Sequence, residues 1–584
     1  MRSFEWPLFQ SLKEEKTLMK FLYSFKNFFS ENINLNSCFF LGGPSKHGKS
    51  WLLNKCLHQF SQSGARPQAA HMKIQQGMSF EMFLYEFDHK CIEMLCKLAP
   101  SYSELADRIG NVMSRFYENI LIEQQLYKIL KECLESQENP LDSCHTLQLR
   151  IAGASDVASD LVGKYEGRDY KETPILDNID TLVESIKSNY GGDDKLALLS
   201  VFYAVMLEKE NDRKPLQFYN CGYRDGRESL NFFFDLINDY AGYTELYYDE
   251  INMSEEEWKA KVRPMRKNRD DPYLQDNYPH VVFAIEKAER FLEIGDQRAE
   301  DWLHALILRL YNGSRYRRHF PVILESSNSY YFGYQIYNKL NLWNLAFPTL
   351  HVGGYGFNAL SPKLSKIYSQ NQLKLITNTF GNCIFQTHLF TEVALRSSQK
   401  FSHLLSASTT TLPEFKRIRN IFLNRLNKLY LNHNLGPELD SGEIDFLILH
   451  FLKRILKSRT KMIKIQLTID LPILEEPVVQ AFLEEKILYA EKHSGYIFLD
   501  QKIFEKLMKE VVEKTKNVVV RKRGSEKMGM LERYRFKRYS RYNPIGFDSI
   551  KYGRRSRQLK VSDVIQMNED QRYELFDHYF KRND

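Results

Sequence analysis

Hydrophobic positions along this chain change rhythm several times, and the order of those changes predicts an α/β protein. Residues 1–34 are apolar at helical spacing, and the run Phe21 to Phe29 is broken by Ser24, Lys26 and Asn27, as in an amphipathic helix. Ser37-Cys38-Phe39-Phe40-Leu41 is a continuous apolar run of strand length, and a helix over Trp51 to Phe60 follows it closely. His71 to Ile74 predicts a second strand and Phe80 to Leu98 the next helix. From about 100 to 275 helical periodicity and polar loops prevail, with one candidate strand at Leu216 to Tyr219. Val281 to Ile285 is the cleanest strand pattern in the chain. A helix at Trp302 to Tyr311 follows, then strands at Pro321 to Leu324 and Thr349 to Val352.

Residues 361–436 read as helices. Beyond 441 the pattern changes: Gly442 to Leu456 has helical spacing, and a helix begins near Glu475-Glu476-Pro477, where proline is well placed. Ile487 to Ala490, a turn at Lys492 to Gly495, and Tyr496 to Leu499 then predict a two-stranded hairpin. A short amphipathic helix near Asp570 to Phe580 closes the chain.

The length of 584 residues implies several domains, and 43% hydrophobic with 27% charged residues is a globular composition. No apolar run approaches the roughly 20 residues of a membrane span. Glu5, Glu14 and Glu15 argue against a secretory signal, and eight cysteines without a CxxC pair argue against a zinc site or a disulfide framework. An intracellular, reducing setting is expected, with mitochondrial matrix and nucleus both open. The net charge is +7, yet sixteen Lys and Arg face only Glu526, Glu532 and Asp548 between Lys514 and Lys560, so one segment carries the basic character.

The chemistry starts at Gly43-Pro44-Ser45-Lys46-His47-Gly48-Lys49-Ser50, which satisfies GxxxxGK[ST] between the first strand and its helix. Glycines let the backbone approach closely enough for successive N–H groups to face phosphate oxygens, and the helix that follows presents its positive end. Lys49 would contact the β- and γ-phosphates of ATP, and the Ser50 hydroxyl would ligate Mg²⁺. Val281 to Ile285 followed by Glu286 supplies the strand that ends in a carboxylate, as needed for the Mg²⁺ shell.

Together with the loop, Ile285-Glu286-Lys287-Ala288-Glu289-Arg290-Phe291 resembles the I-D-E-A-Q-R-L pattern of P-loop ATPases of the AAA+ and STAND kind, especially archaeal-type and origin-recognition-type members. Glu286 stands where that family has Asp. Lys287 stands where it has the Glu that polarises attacking water, so the resemblance implies ATP binding with weak or absent hydrolysis; Glu289 is the substitute base within the segment. The next strand ends in Glu325-Ser326-Ser327-Asn328-Ser329, and Ser326 or Asn328 would fill the family's γ-phosphate sensor position. Arg315, Arg317 and Arg318 are either nucleotide or subunit contacts or a solvated helix end. Thr379-Phe380-Gly381-Asn382-Cys383 resembles the G-N-P turn of the family's helical lid, with Cys383 in place of proline.

The resulting expectation is a parallel-sheet P-loop core over 35–360 behind a helical segment at 1–34, with a helical insertion at about 100–275. A helical lid over 361–437, a winged helix over 438–511, a basic tail over 512–560 and a closing helix over 561–584 complete it. The predicted second helix of the winged unit carries Glu475, Glu476, Glu484 and Glu485, which suits protein contact better than phosphate contact. In the tail, Arg533, Arg535, Lys537, Arg538 and Arg541 alternate with aromatics. That pattern fits single-stranded nucleic acid, and equally a solvated basic tail, a targeting signal or a strip docked on an acidic surface. The expected role is a nucleotide-dependent binding or assembly factor in a nucleic-acid or ribonucleoprotein setting, with protein partners through the insertion and the winged unit. A hydrolysing motor or signalling switch and a structural protein with a vestigial loop are the rivals.

Overall fold

The computed structural model describes residues 12–24, 38–62, 68–136, 155–166, 175–212, 225–240, 281–291, 293–316, 320–327, 349–353, 364–381, 383–408, 412–431, 452, 455–456, 462–464, 477–491 and 496–509. Five strands, β1 (Cys38–Gly42), β2 (Gln68–Lys73), β3 (Val281–Glu286), β4 (Val322–Glu325) and β5 (Thr349–His351), form one parallel sheet in the order β2-β3-β4-β1-β5. With all strands parallel, their carboxyl ends share one edge. Leu41 stands opposite Glu325 and Gly42 opposite His351 in the register.

The sheet is covered on both faces, which is why β1, β3 and β4 are continuous apolar runs. Side chains alternate between the faces. Cys38, Phe40, Phe283, Ile285, Val322 and Leu324 enter one core, while Phe39, Leu41, Val282, Ala284 and Ile323 enter another. The second, smaller core is closed by α1 (Leu12–Ser24) and α2 (Lys49–Ser61), through Leu18, Leu22, Leu52, Leu53, Cys56 and Phe60.

The first core is larger than a sheet-covering layer. Here α3 (Phe80–Leu98) and the helix Gln297–Tyr316 pack Phe83 and Phe87 edge-on against Trp302, at ring separations of 4.8 and 4.9 Å. Helices at Tyr102–Phe116, Asn119–Ser136, Ser155–Tyr165, Ile179–Ile186, Asp194–Asp212 and Arg227–Tyr240 continue the same cluster. The described elements of the segment read as an insertion are therefore all helices, and they share one core with the sheet. The candidate strand Leu216 to Tyr219 lies outside the described residues.

Helices at Gln370–Phe380, Ile384–Arg396, Phe401–Ser408 and Pro413–Leu431 follow, the first opened by a capping box between Ser369 and Gln372. They share a third core with a helix at Pro477–Glu484 and an antiparallel sheet of Met462–Lys464, Tyr496–Leu499 and Leu488–Glu491, with the 496–499 strand in the middle. The hairpin read from the sequence is thus present as a strand pair, with one further strand, Met462–Lys464, beside it. Phe380 stacks on Phe415 at 5.4 Å, Phe422 packs against Phe504, beyond the last strand, at 5.0 Å, and the shared core makes these helices and this sheet one carboxy-terminal lobe. Among the described residues no helix is long and apolar enough to cross a membrane.

Candidate functional site

The loop after β1 turns by backbone conformations that the sequence makes available. Gly43 has φ +150° and no room for a side chain, and Gly48 has φ +88°, a left-handed conformation that a side chain would strain. A Cβ at Gly43 would stand 2.1 Å from the Val352 carbonyl oxygen, and one at Gly48 would stand 2.7 Å from Ile384 Cδ1. Lys46 also adopts positive φ, at +64°, an uncommon choice for a residue with a side chain. Its ammonium lies 4.3 Å from the centre of the Phe385 ring, which steadies the exposed side chain there.

Lys49 is the first residue of α2 and is 3% exposed. Its Nζ donates to the carbonyls of Gly43 at 2.8 Å and Pro44 at 2.9 Å, and lies 3.7 Å from Glu325 Oε1. Burial draws this amine below the ordinary lysine range, and the Glu325 carboxylate opposes the shift. Ser50 follows in the first helical turn, half-buried. His47 is buried, with Nδ1 2.9 Å from the Ser45 carbonyl. Burial lowers its pKa to about 4; the Asp500 carboxylate pulls the other way and Lys49 adds to the depression.

Three carboxylates stand where β3 and β4 end, each engaged. Glu286 Oε1 lies 3.2 Å from His71 Nε2 and accepts from Asn54 Nδ2 at 3.4 Å. Burial would raise its pKa, but the contact with His71 and the charges of Lys73 and Lys287 leave it below the usual carboxylate range. Glu289 accepts from Lys486 Nζ at 3.1 Å and from the Ser327 amide at 3.3 Å. Burial again acts upward, and the Lys486 and Lys287 cations outweigh it, holding Glu289 ionised well below the ordinary range. Glu325, fully buried, faces Lys49 through one oxygen and accepts from the Lys287 amide at 3.0 Å through the other.

Lys287 itself has φ +61°, and its Nζ reaches Ser327 Oγ at 3.4 Å. Of the sensor candidates, Ser326 is buried with its amide bonded to the Leu41 carbonyl at 3.0 Å, which extends the β1–β4 register. Asn328 lies outside the described residues, as do Arg317, Arg318, Asn382 and the tail residues Arg533, Arg535, Lys537, Arg538 and Arg541. Among the described residues no group of three or more His, Cys, Asp or Glu could hold a metal ion by itself.

Sequence reasoning did not single out the carboxy-terminal lobe as part of this site. Asp500 Oδ1 accepts the Ser45 amide at 2.7 Å, inside the Gly43–Ser50 loop. The Lys46 carbonyl accepts the Phe385 amide at 3.5 Å and faces Cys383 Sγ at 3.7 Å, so Cys383 and Phe385 meet the loop. His351 Nδ1 lies 2.7 Å from the Tyr489 hydroxyl. The lobe thereby touches the segments after β1 and β3 and the last residue of β5. Gly353, with φ +80°, packs under the His47 side chain, where a Cβ would lie within 2.7 Å of the ring. The one available signal for Glu325 was a carboxylate ending an apolar run. No local signal marks Asp500.

No protein-family model matches the chain. No curated protein is significantly similar to it.

Proposed function

We propose that the chain is a P-loop protein of the AAA+/STAND kind that binds ATP with Mg²⁺ at Gly43–Ser50 and acts as a nucleotide-dependent binding or assembly factor. The observation that carries the reading is the loop itself. It links a buried strand to a helix, turns on glycines of positive φ at 43 and 48, begins that helix with a buried lysine, and already offers one amide to an anionic oxygen. The loop amides, Lys49 and the Ser50 hydroxyl would hold the phosphates and the ion, and bound Mg²⁺ would supply neutralisation of phosphate charge.

Weak or absent hydrolysis belongs to the same reading. A base for water must be free to take a proton, and Glu286, Glu289 and Glu325 are each held by a cation or a ring nitrogen. Lys287, at the family's base position, is a cation bonded towards Ser327 and can stabilise bound phosphate without activating water. The three-stranded sheet with its neighbouring helix supports reading the carboxy-terminal lobe as a winged helix used for protein contact, with the tail as a nucleic-acid segment.

Turnover of wild type, Lys49→Ala and Lys287→Glu tests this reading. Slow wild-type turnover that rises in Lys287→Glu is expected; fast turnover abolished by Lys49→Ala makes the chain a hydrolysing ATPase instead. One observation favours a second reading, a purely structural loop: Lys49 is turned onto its own loop's carbonyls. Unchanged melting at MgATP concentrations far above micromolar would favour it, since a ligand at about 100 times its Kd stabilises by ~2.7 kcal/mol.

A further inference from the structure

The phosphate loop holds an anionic oxygen that belongs to the chain itself. Asp500, directly after the strand Tyr496–Leu499, is 2% exposed, and its Oδ1 accepts the Ser45 amide at 2.7 Å. Its Oδ2 accepts from Arg425 Nη1 at 3.3 Å. The carboxylate is aimed by its surroundings: its own amide donates to the Ile487 carbonyl at 2.9 Å, and Arg425 also donates to the Lys486 carbonyl at 2.6 Å. The antiparallel sheet and the helix Pro413–Leu431 therefore hold it from two sides and present it to the loop. A carboxylate oxygen and a phosphate oxygen are both anionic acceptors, and they cannot share a single N–H without strong repulsion.

We propose that Asp500 is the affinity-determining residue of this loop, a resident anion that a nucleotide phosphate must displace, so that nucleotide binding loosens the carboxy-terminal lobe from the loop. The proposal rests on the nucleotide-binding reading above. The linkage is reciprocal: whatever draws the lobe away from the loop raises nucleotide affinity by the factor by which nucleotide favours release. Lys486 on Glu289, Tyr489 on His351, and Cys383 with Phe385 on the Lys46 carbonyl resist the release, so Asp500 can be displaced while the lobe stays tethered.

Calorimetric titration of the full chain with MgATP, comparing wild type, Asp500→Asn, Asp500→Ala and Lys49→Ala, tests the proposal. Asp500→Asn keeps the shape and removes the charge. It should bind about tenfold more tightly, the ratio for exchanging a charge-assisted bond for a neutral one. Asp500→Ala should bind at least as tightly as Asp500→Asn, and Lys49→Ala should not bind. Equal or weaker binding by both Asp500 variants, while wild type binds, overturns the proposal and leaves the nucleotide reading standing. Absence of binding in wild type and variants alike overturns both. Hydrogen exchange on wild type needs no variant: MgATP should speed exchange across 488–499 several-fold, and unchanged or slower exchange there contradicts displacement.

Discussion

Replacing Lys49 with Met keeps the length of the side chain and removes a buried cation, and the structure sets the cost. Lys49 is 3% exposed and Glu325 0%, so neither charge has water to fall back on. Breaking one partner of a buried pair typically costs ~3–5 kcal/mol, because the other charge is left uncompensated. Here Glu325 keeps the Lys287 amide at 3.0 Å and its distance to Lys49 is long, at 3.7 Å, so the lower end, about 3 kcal/mol, applies. At ~2–4 °C per kcal/mol for a domain of this size, the midpoint should fall by about 6–12 °C. Adding Glu325→Gln removes the stranded charge, so the double variant should recover at least ~1 kcal/mol relative to the sum of the singles. Thermal and urea unfolding of the four proteins, followed by circular dichroism, measure this. If Lys49→Met costs less than about 1 kcal/mol, or the two changes simply add, the pair does not hold the loop.

Three further outcomes follow from the same geometry. Gly43→Ala drives a Cβ into the Val352 carbonyl at 2.1 Å and should cost at least ~2–3 kcal/mol, whereas Gly110→Ala, in a helix with nothing within 4 Å, should stabilise by ~0.5–1 kcal/mol; melting curves decide. His47, with its pKa lowered from 6.5 to about 4, binds fewer protons folded than unfolded between those values. Its contribution is therefore fully present above pH 6.5 and is lost as pH falls towards 4, by about 3 kcal/mol; His47→Gln should flatten that part of the urea-stability profile. Single-stranded RNA should bind the full chain more tightly than a chain ending at Glu510, with a salt slope steeper by up to about 3–4 if all five named tail cations meet phosphates; equal affinity and slope remove that role from the tail.

Most of the sheet was legible because strands buried on both faces must be apolar at every position, and β1, β3 and β4 are. Boundaries shifted where pairing overrides hydropathy. β2 starts at polar Gln68, three residues before the apolar signal, because Gln68 stands opposite Val281 in the register. β4 runs on to Glu325, whose charge reads as the start of a loop but is neutralised by Lys49 in the fold. The strand Met462–Lys464 is too short to announce itself. Periodicity over about 100–275 implied helices there, but neither their bounds nor what they pack against. Residues 197–207, apolar around most of the helix and almost entirely buried, hold the clue, since a helix hydrophobic all round belongs inside a core. The loop was readable from its motif. Its closest carboxylate was not, because Asp500 lies 455 residues from Ser45 and reaches it only through the packing of the lobe.

Equilibrium binding of MgATP to the full chain, beside Lys49→Ala held well below its own melting midpoint, tests the central claim most directly. Saturable, single-site binding that disappears in the variant is the predicted result. Binding that persists unchanged without Lys49, or no binding to wild type, would contradict the assignment of Gly43–Ser50 as a nucleotide site.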